Sequence, residues 1–121
     1  MRSDINHAHL ALEHIAEHGK AVRDFITGMT QEQFLKDQKT IFAVIRCLEV
    51  ISEASRRLTE DMKARHPDIP WEDVASLGNV YRHEYHRLNL ARVWKTAVAS
   101  VPRILAFAET ELQRLPPLSE S

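Results

Sequence analysis

From Gly78 to Arg87 the chain reads Gly-Asn-Val-Tyr-Arg-His-Glu-Tyr-His-Arg, gathering an amide, guanidinium groups and imidazoles within a few residues. On a helix turning about 100° per residue, Asn79, Arg82, His83, His86 and Arg87 fall on one side, and Val74, Leu77, Tyr81 and Leu88 on the other. Such a face suits attack on a phosphodiester. An imidazole titrating near neutrality takes or gives the proton of a ribose 2′-hydroxyl or of a leaving oxygen. An adjacent guanidinium holds the phosphate and stabilises charge developing in the transition state. RNA carries its own nucleophile, so this chemistry requires neither a metal nor a cofactor. The plainer alternative is a solvated helix face that happens to be basic. From Gly78 to Lys95 the bases Arg82, Arg87, Arg92 and Lys95 stand against one acid, Glu84, although the whole chain is nearly neutral at net −1. Positive charge is therefore local.

Other constellations carry less chemistry. His7, His14 and His18 share one face of a first helix, and His14-x-x-x-His18 has metal-ligand spacing. That face lies opposite the apolar stripe and lacks the His-Glu-x-x-His pattern, so no metal site is expected. Arg46, Glu49 and Glu53 form a polar row on a second helix, either a salt-bridged edge or a wall of the site. Cys47 reads as a small buried filler, and Trp71 and Trp94 as core anchors.

The elements that must position these residues are helical. The 121 residues fit one domain over 1–121, with 116–121 as a frayed tail. Three Gly and five Pro are too few for the turns of a β-sandwich or barrel, and one cysteine excludes a disulfide framework. The charged, histidine-containing start is unlike a signal peptide, and no run approaches the roughly 20 apolar residues of a membrane span. A cytoplasmic protein with no membrane contact is expected. Ile5, Ala8, Leu12, Ile15, Val22 and Ile26 predict a first helix that skips a turn at Gly19 and stops at Gly28. Thr30-Gln31-Glu32-Gln33 has the form of a capping box, opening a short turn whose Phe34 and Leu35 plug one end of the core. Asp37 begins a second long helix, striped by Ile41, Val44, Ile45, Leu48, Ile51, Ala54, Leu58 and Met62 and ended by His66-Pro67. A third helix is expected from Trp71 to Leu88, and a fourth from Leu90 to Leu115, kinked or broken a turn before Pro102. The fold class is all-α, an antiparallel bundle of four to five helices.

Several stretches also carry a family resemblance: Phe34-Leu35 before Asp37; Ala43-Val44-Ile45-Arg46 running into Leu48-Glu49-Val50-Ile51-Ser52-Glu53-Ala54; Arg65-His66-Pro67-Asp68-Ile69-Pro70-Trp71; His83-Glu84-Tyr85; Leu90 and Val93-Trp94. On these residues the segment from Met29 to about Leu112 resembles the HepT-like group of HEPN proteins, the toxins of HepT–MNT toxin–antitoxin pairs. The resemblance implies a HEPN-type bundle, usually a homodimer, acting as a metal-independent endoribonuclease with its site at the dimer interface. It implies an MNT-type nucleotidyltransferase antitoxin as partner, which adenylylates the tyrosine two residues after the histidine, here Tyr85. On a straight helix Tyr85 points about 200° away from His83. The family's histidine falls on His83, as general acid or base. Its arginine, which precedes a polar residue such as Asn79, falls on Gly78. Arg82, three residues from Asn79, is the local replacement for binding phosphate, and Asn79 orients the phosphate or the imidazole. The missing arginine also leaves a second reading, a catalytically inactive module that binds the nucleotidyltransferase.

Overall fold

A computed structural model describes residues 2–83 and 87–115, and among them all regular structure is helical. The helix ends follow local chemistry. α1 (Arg2–Ile26) is followed by Gly28 at φ +79°, a left-handed conformation that glycine adopts without a steric penalty. Thr30 caps α2 (Gln31–Leu35): its hydroxyl accepts from the Gln33 N–H at 3.1 Å, and Gln33 Oε1 accepts from the Thr30 N–H at 2.9 Å. Asp37 caps α3 (Gln38–Ser55) by accepting from the Thr40 N–H at 3.1 Å. That bond, with one from the Thr40 hydroxyl, holds the Asp37 carboxyl below its usual range. Then follow α4 (Glu60–Ala64), α5 (Trp71–His83), α6 (Arg87–Lys95), a π-helical segment (Thr96–Ser100) and α7 (Val101–Arg114).

α1 packs against both α3 and α7, while α5 packs against α3. Ile15 shares a cluster with Ile51 and Ala54, and Val22 shares another with Ile41 and Val44, so α1 and α3 run antiparallel. The turn that α1's apolar stripe skips is closed by Gly19, where a Cβ would stand 3.4 Å from the Leu105 Cβ of α7. Both tryptophans anchor the core. Trp71 lies edge-on to Phe107 at 4.7 Å, and Trp94 lies 5.2 Å from the fully buried Phe34.

Three expectations need correction. The second helix does not run unbroken to Met62. It stops at Ser55, and the extended Thr59 starts α4 by accepting from the Met62 N–H at 3.2 Å. Leu58 and Met62 stay buried, so the apolar pattern survives although the backbone breaks. Ile5 is 40% exposed, because α1, at 25 residues against 18 for α3, overhangs its partner by about 10 Å. The described part of Trp71 to Leu88 is divided between α5, which reaches His83, and α6, which starts at Arg87, and the two are placed so that Leu77 and Arg92 line one cleft. On a single helix those two would lie about 22 Å apart. The irregularity expected a turn before Pro102 is present: Pro102 lacks the N–H that would bond the Val98 carbonyl, and the helix takes a π turn at Thr96–Ser100 rather than a break. The tail at 116–121 lies outside the described residues. Among the described residues no helix is long and apolar enough to cross a membrane.

Candidate active site

The helix that carries the polar motif is held at its start and along its flank. At its start the Trp71 indole N–H donates to the carbonyls of Lys63 and His66 at 3.1 and 3.2 Å, tying the first residue of α5 to the connection before it. Along the flank, the Ala75 carbonyl accepts from Ser52 Oγ at 2.8 Å and from Arg56 Nη2 at 2.6 Å, both on α3. One turn on, Gly78 is buried against α3, and a Cβ there would stand 3.7 Å from Glu49 Cα and Cγ. Ser52 opposite Ala75 and Glu49 opposite Gly78 define an antiparallel register, and continuing it brings residue 82 level with residue 45.

Asn79, Arg82 and His83 therefore follow the anchored part of α5 within its last two turns. Their side chains lie outside the described residues, as does Tyr85 entirely, together with Glu84 and His86. Of the polar row on α3, Glu49 is the member at the α5 backbone. Arg46 is exposed on the same helix, and Glu53 pairs with Arg57 at 3.3 Å on the surface. At Gly78, contacts of 3.7–3.8 Å are ordinary van der Waals distances, so space does not demand glycine there. An arginine at that position would start beside the Glu49 side chain.

Sequence reasoning missed Glu111. This carboxylate is fully buried on α7 yet accepts from Arg65 Nε at 3.2 Å, Arg65 Nη2 at 2.5 Å and His66 Nε2 at 2.8 Å. Burial pushes the carboxyl up, but the hydrogen bonds and charge of Arg65 and His66 overcome it and hold the group below its usual range. The same bonds raise the Arg65 guanidinium. Next to it, Arg103 Nη2 donates to the Asp68 carbonyl at 2.8 Å and to its carboxylate at 3.0 Å, lowering the Asp68 carboxyl. The Arg65–Trp71 stretch is thus a clasp that fixes the entry into α5 onto α7. The available signal was Glu111 itself, four residues after Phe107 and seven after Ile104, on the stripe that had to be buried.

His7 and His14 are exposed, and His18 Nδ1 lies 2.8 Å from the His14 carbonyl. Among the described residues no three His, Cys, Asp or Glu side chains converge as a ligand set. Cys47 is buried, and burial pushes its thiol up, away from the reactive thiolate.

Comparison with known proteins matches residues 15–111 to the family described as Ribonuclease HepT-like. A protein of Thermococcus cleftensis named "Probable ribonuclease HepT" is 40% identical over 93 residues, covering 77% of this chain and 84% of that one. A relative from Methanocaldococcus jannaschii that carries a provisional RNase name is 42% identical over 88 residues, 73% of each chain. A third, from Caldanaerobacter subterraneus and also provisionally named an RNase, is 29% identical over 103 residues, 85% of this chain and 92% of that one. No solved structure matches the chain significantly.

Proposed function

The chain belongs to the HepT-like ribonuclease family, and from that premise we propose that it cleaves RNA without a metal ion, using His83, Arg82 and Asn79. The observation that carries this reading is the placement of all three within the last two turns of α5, downstream of the Ala75 carbonyl pinned by Ser52 and Arg56. His83 transfers the proton: the 2′-hydroxyl loses its proton, its oxygen attacks phosphorus, and the leaving 5′-oxygen is protonated. Arg82 and Asn79 hold the phosphate. Pairing of two copies brings two such basic segments together and raises the local positive potential. An MNT-type nucleotidyltransferase is the antitoxin partner in this reading, with Tyr85 the residue it adenylylates.

A second reading is favoured by Gly78, which stands where the family carries arginine and is buried against Glu49. In that reading the chain binds the nucleotidyltransferase without cutting RNA. Cleavage of labelled RNA in EDTA by wild type, His83→Ala and Arg82→Ala separates the two. Cleavage lost in both variants, with the helical circular dichroism retained, supports the nuclease. No cleavage by the wild type, regained in Gly78→Arg, supports the inactive module.

A further inference from the structure

On a face of α5 distinct from its contact with α3 lies a cleft of about 370 Å³, within the size range of small-ligand sites. Asp73, Ser76 and Leu77 of α5 form one wall, and Arg92, Thr96 and Ser100 form the other. The cleft exists because α5 packs on α3 and makes little backbone contact with α6 or α7 among the described residues. The π turn forced by Pro102 supplies the hydroxyls of the far wall, and such turns concentrate at functional sites. Arg92 is exposed and makes no ion pair or hydrogen bond among the described residues; it shares the cleft with the Asp73 carboxylate and with Arg103, which is itself paired to Asp68. Leu77 and Ile104 are part of its apolar lining.

We propose that this cleft holds one nucleotide of single-stranded RNA flanking the bond cut at His83, with its phosphate on Arg92 and its base against Leu77 and Ile104. The cleft is too small for a partner's helix, which is about 10–12 Å across, but it matches a flat ring bearing one anionic group. Its location fits the substrate path. Ser76 lies seven residues before His83 on α5, about 10 Å along the axis. Arg92 stands on the helix that follows the motif. Asp73, also in the lining, accepts from a base amine and so favours bases that carry one. The inference rests on the ribonuclease reading, and a binding assay tests it independently of cleavage.

The assay measures fluorescence anisotropy of a fluorescein-labelled, mixed-sequence RNA oligonucleotide with the full chain carrying His83→Ala. Arg92→Ala and Ser76→Phe, which fills the cleft, are added singly, with Lys39→Ala as a remote charge control and circular dichroism melts to verify folding. Both cleft variants should weaken binding about tenfold, as loss of one charge-assisted contact does, whereas Lys39→Ala leaves it within about twofold. Arg92→Ala alone should reduce the log–log salt slope by about one. Unchanged binding in both cleft variants overturns the proposal, even if the chain cuts RNA. Weakened binding by folded variants of a chain that never cuts RNA upholds the cleft and refutes the nuclease reading. Nucleoside monophosphates provide the second arm. If they bind through Arg92 while RNA binding ignores that residue, the cleft is a free-nucleotide site and the RNA assignment falls.

Discussion

Replacing Arg65 with alanine tests how the entry to α5 is held. Glu111 is fully buried, and Arg65 makes two of the three hydrogen bonds it receives from Arg65 and His66. The substitution removes the nearer of two permanent counter-charges, leaving Arg114 Nε at 3.6 Å from a carboxylate that water does not reach. Breaking a buried ion pair from one side costs about 3–5 kcal/mol. His66 still donates at 2.8 Å and Arg65 is itself 38% exposed, which places the loss near the lower end, at about 3 kcal/mol. For 121 residues that corresponds to a fall in Tm of about 12 °C. Arg57→Ala is the comparison: its pair with Glu53 at 3.3 Å has both side chains more than half exposed, and its loss should stay below about 1 kcal/mol. Urea unfolding at pH 7, followed by circular dichroism at constant m, reads both values. A double Arg65→Met, Glu111→Leu variant should recover much of the loss, because apolar replacement of both partners removes the buried charge. Equal losses for Arg65→Ala and Arg57→Ala would refute the argument that burial of Glu111 makes this pair matter.

Acid should expose the same clasp. Because the Glu111 carboxyl is held below its unfolded value, its stabilisation is complete above the ordinary carboxylate range and disappears as pH falls through the lowered folded value. Urea midpoints from pH 7 down to pH 3.5 should therefore drop more steeply for wild type than for Glu111→Gln, and parallel curves would contradict the assignment. Gly78→Ala should stabilise the chain by about 0.5–1 kcal/mol, since a mid-helix glycine gains helix propensity and the added Cβ meets only ordinary contacts. A lower melting temperature would show that α3 and α5 need a closer approach. Phe34→Ala should cost about 3–5 kcal/mol by emptying the space beside Trp94, measured as a shifted denaturation midpoint.

Signals confined to a few neighbouring residues were readable in advance. The Gly28 stop, the Thr30–Gln33 box and the Asp37 cap depend on partners within three residues and formed as expected. The stripe of Ile41, Val44, Leu48 and Ile51 selected the buried face of α3, because helical period alone decides which side chains share a side. The same rule failed beyond Ser55. Leu58 and Met62 keep the period, but the Thr59 cap competes for the backbone, and periodicity does not register a break that preserves burial. It failed again between Trp71 and Leu88, where residues of α5 and α6 were projected onto one straight axis.

The order of residues thus determined the helical class, the caps and the gathering of Asn79, Arg82 and His83 on one segment, all consequences of interactions spanning about one turn. Folding in three dimensions decided which side of that segment meets α3, where a cleft opens, and that Glu111 is neutralised by a guanidinium 46 residues away. Such a pairing has no local signature. A glutamate on an apolar stripe becomes either a costly isolated charge or the centre of a clasp, according to which distant cation the chain brings to it.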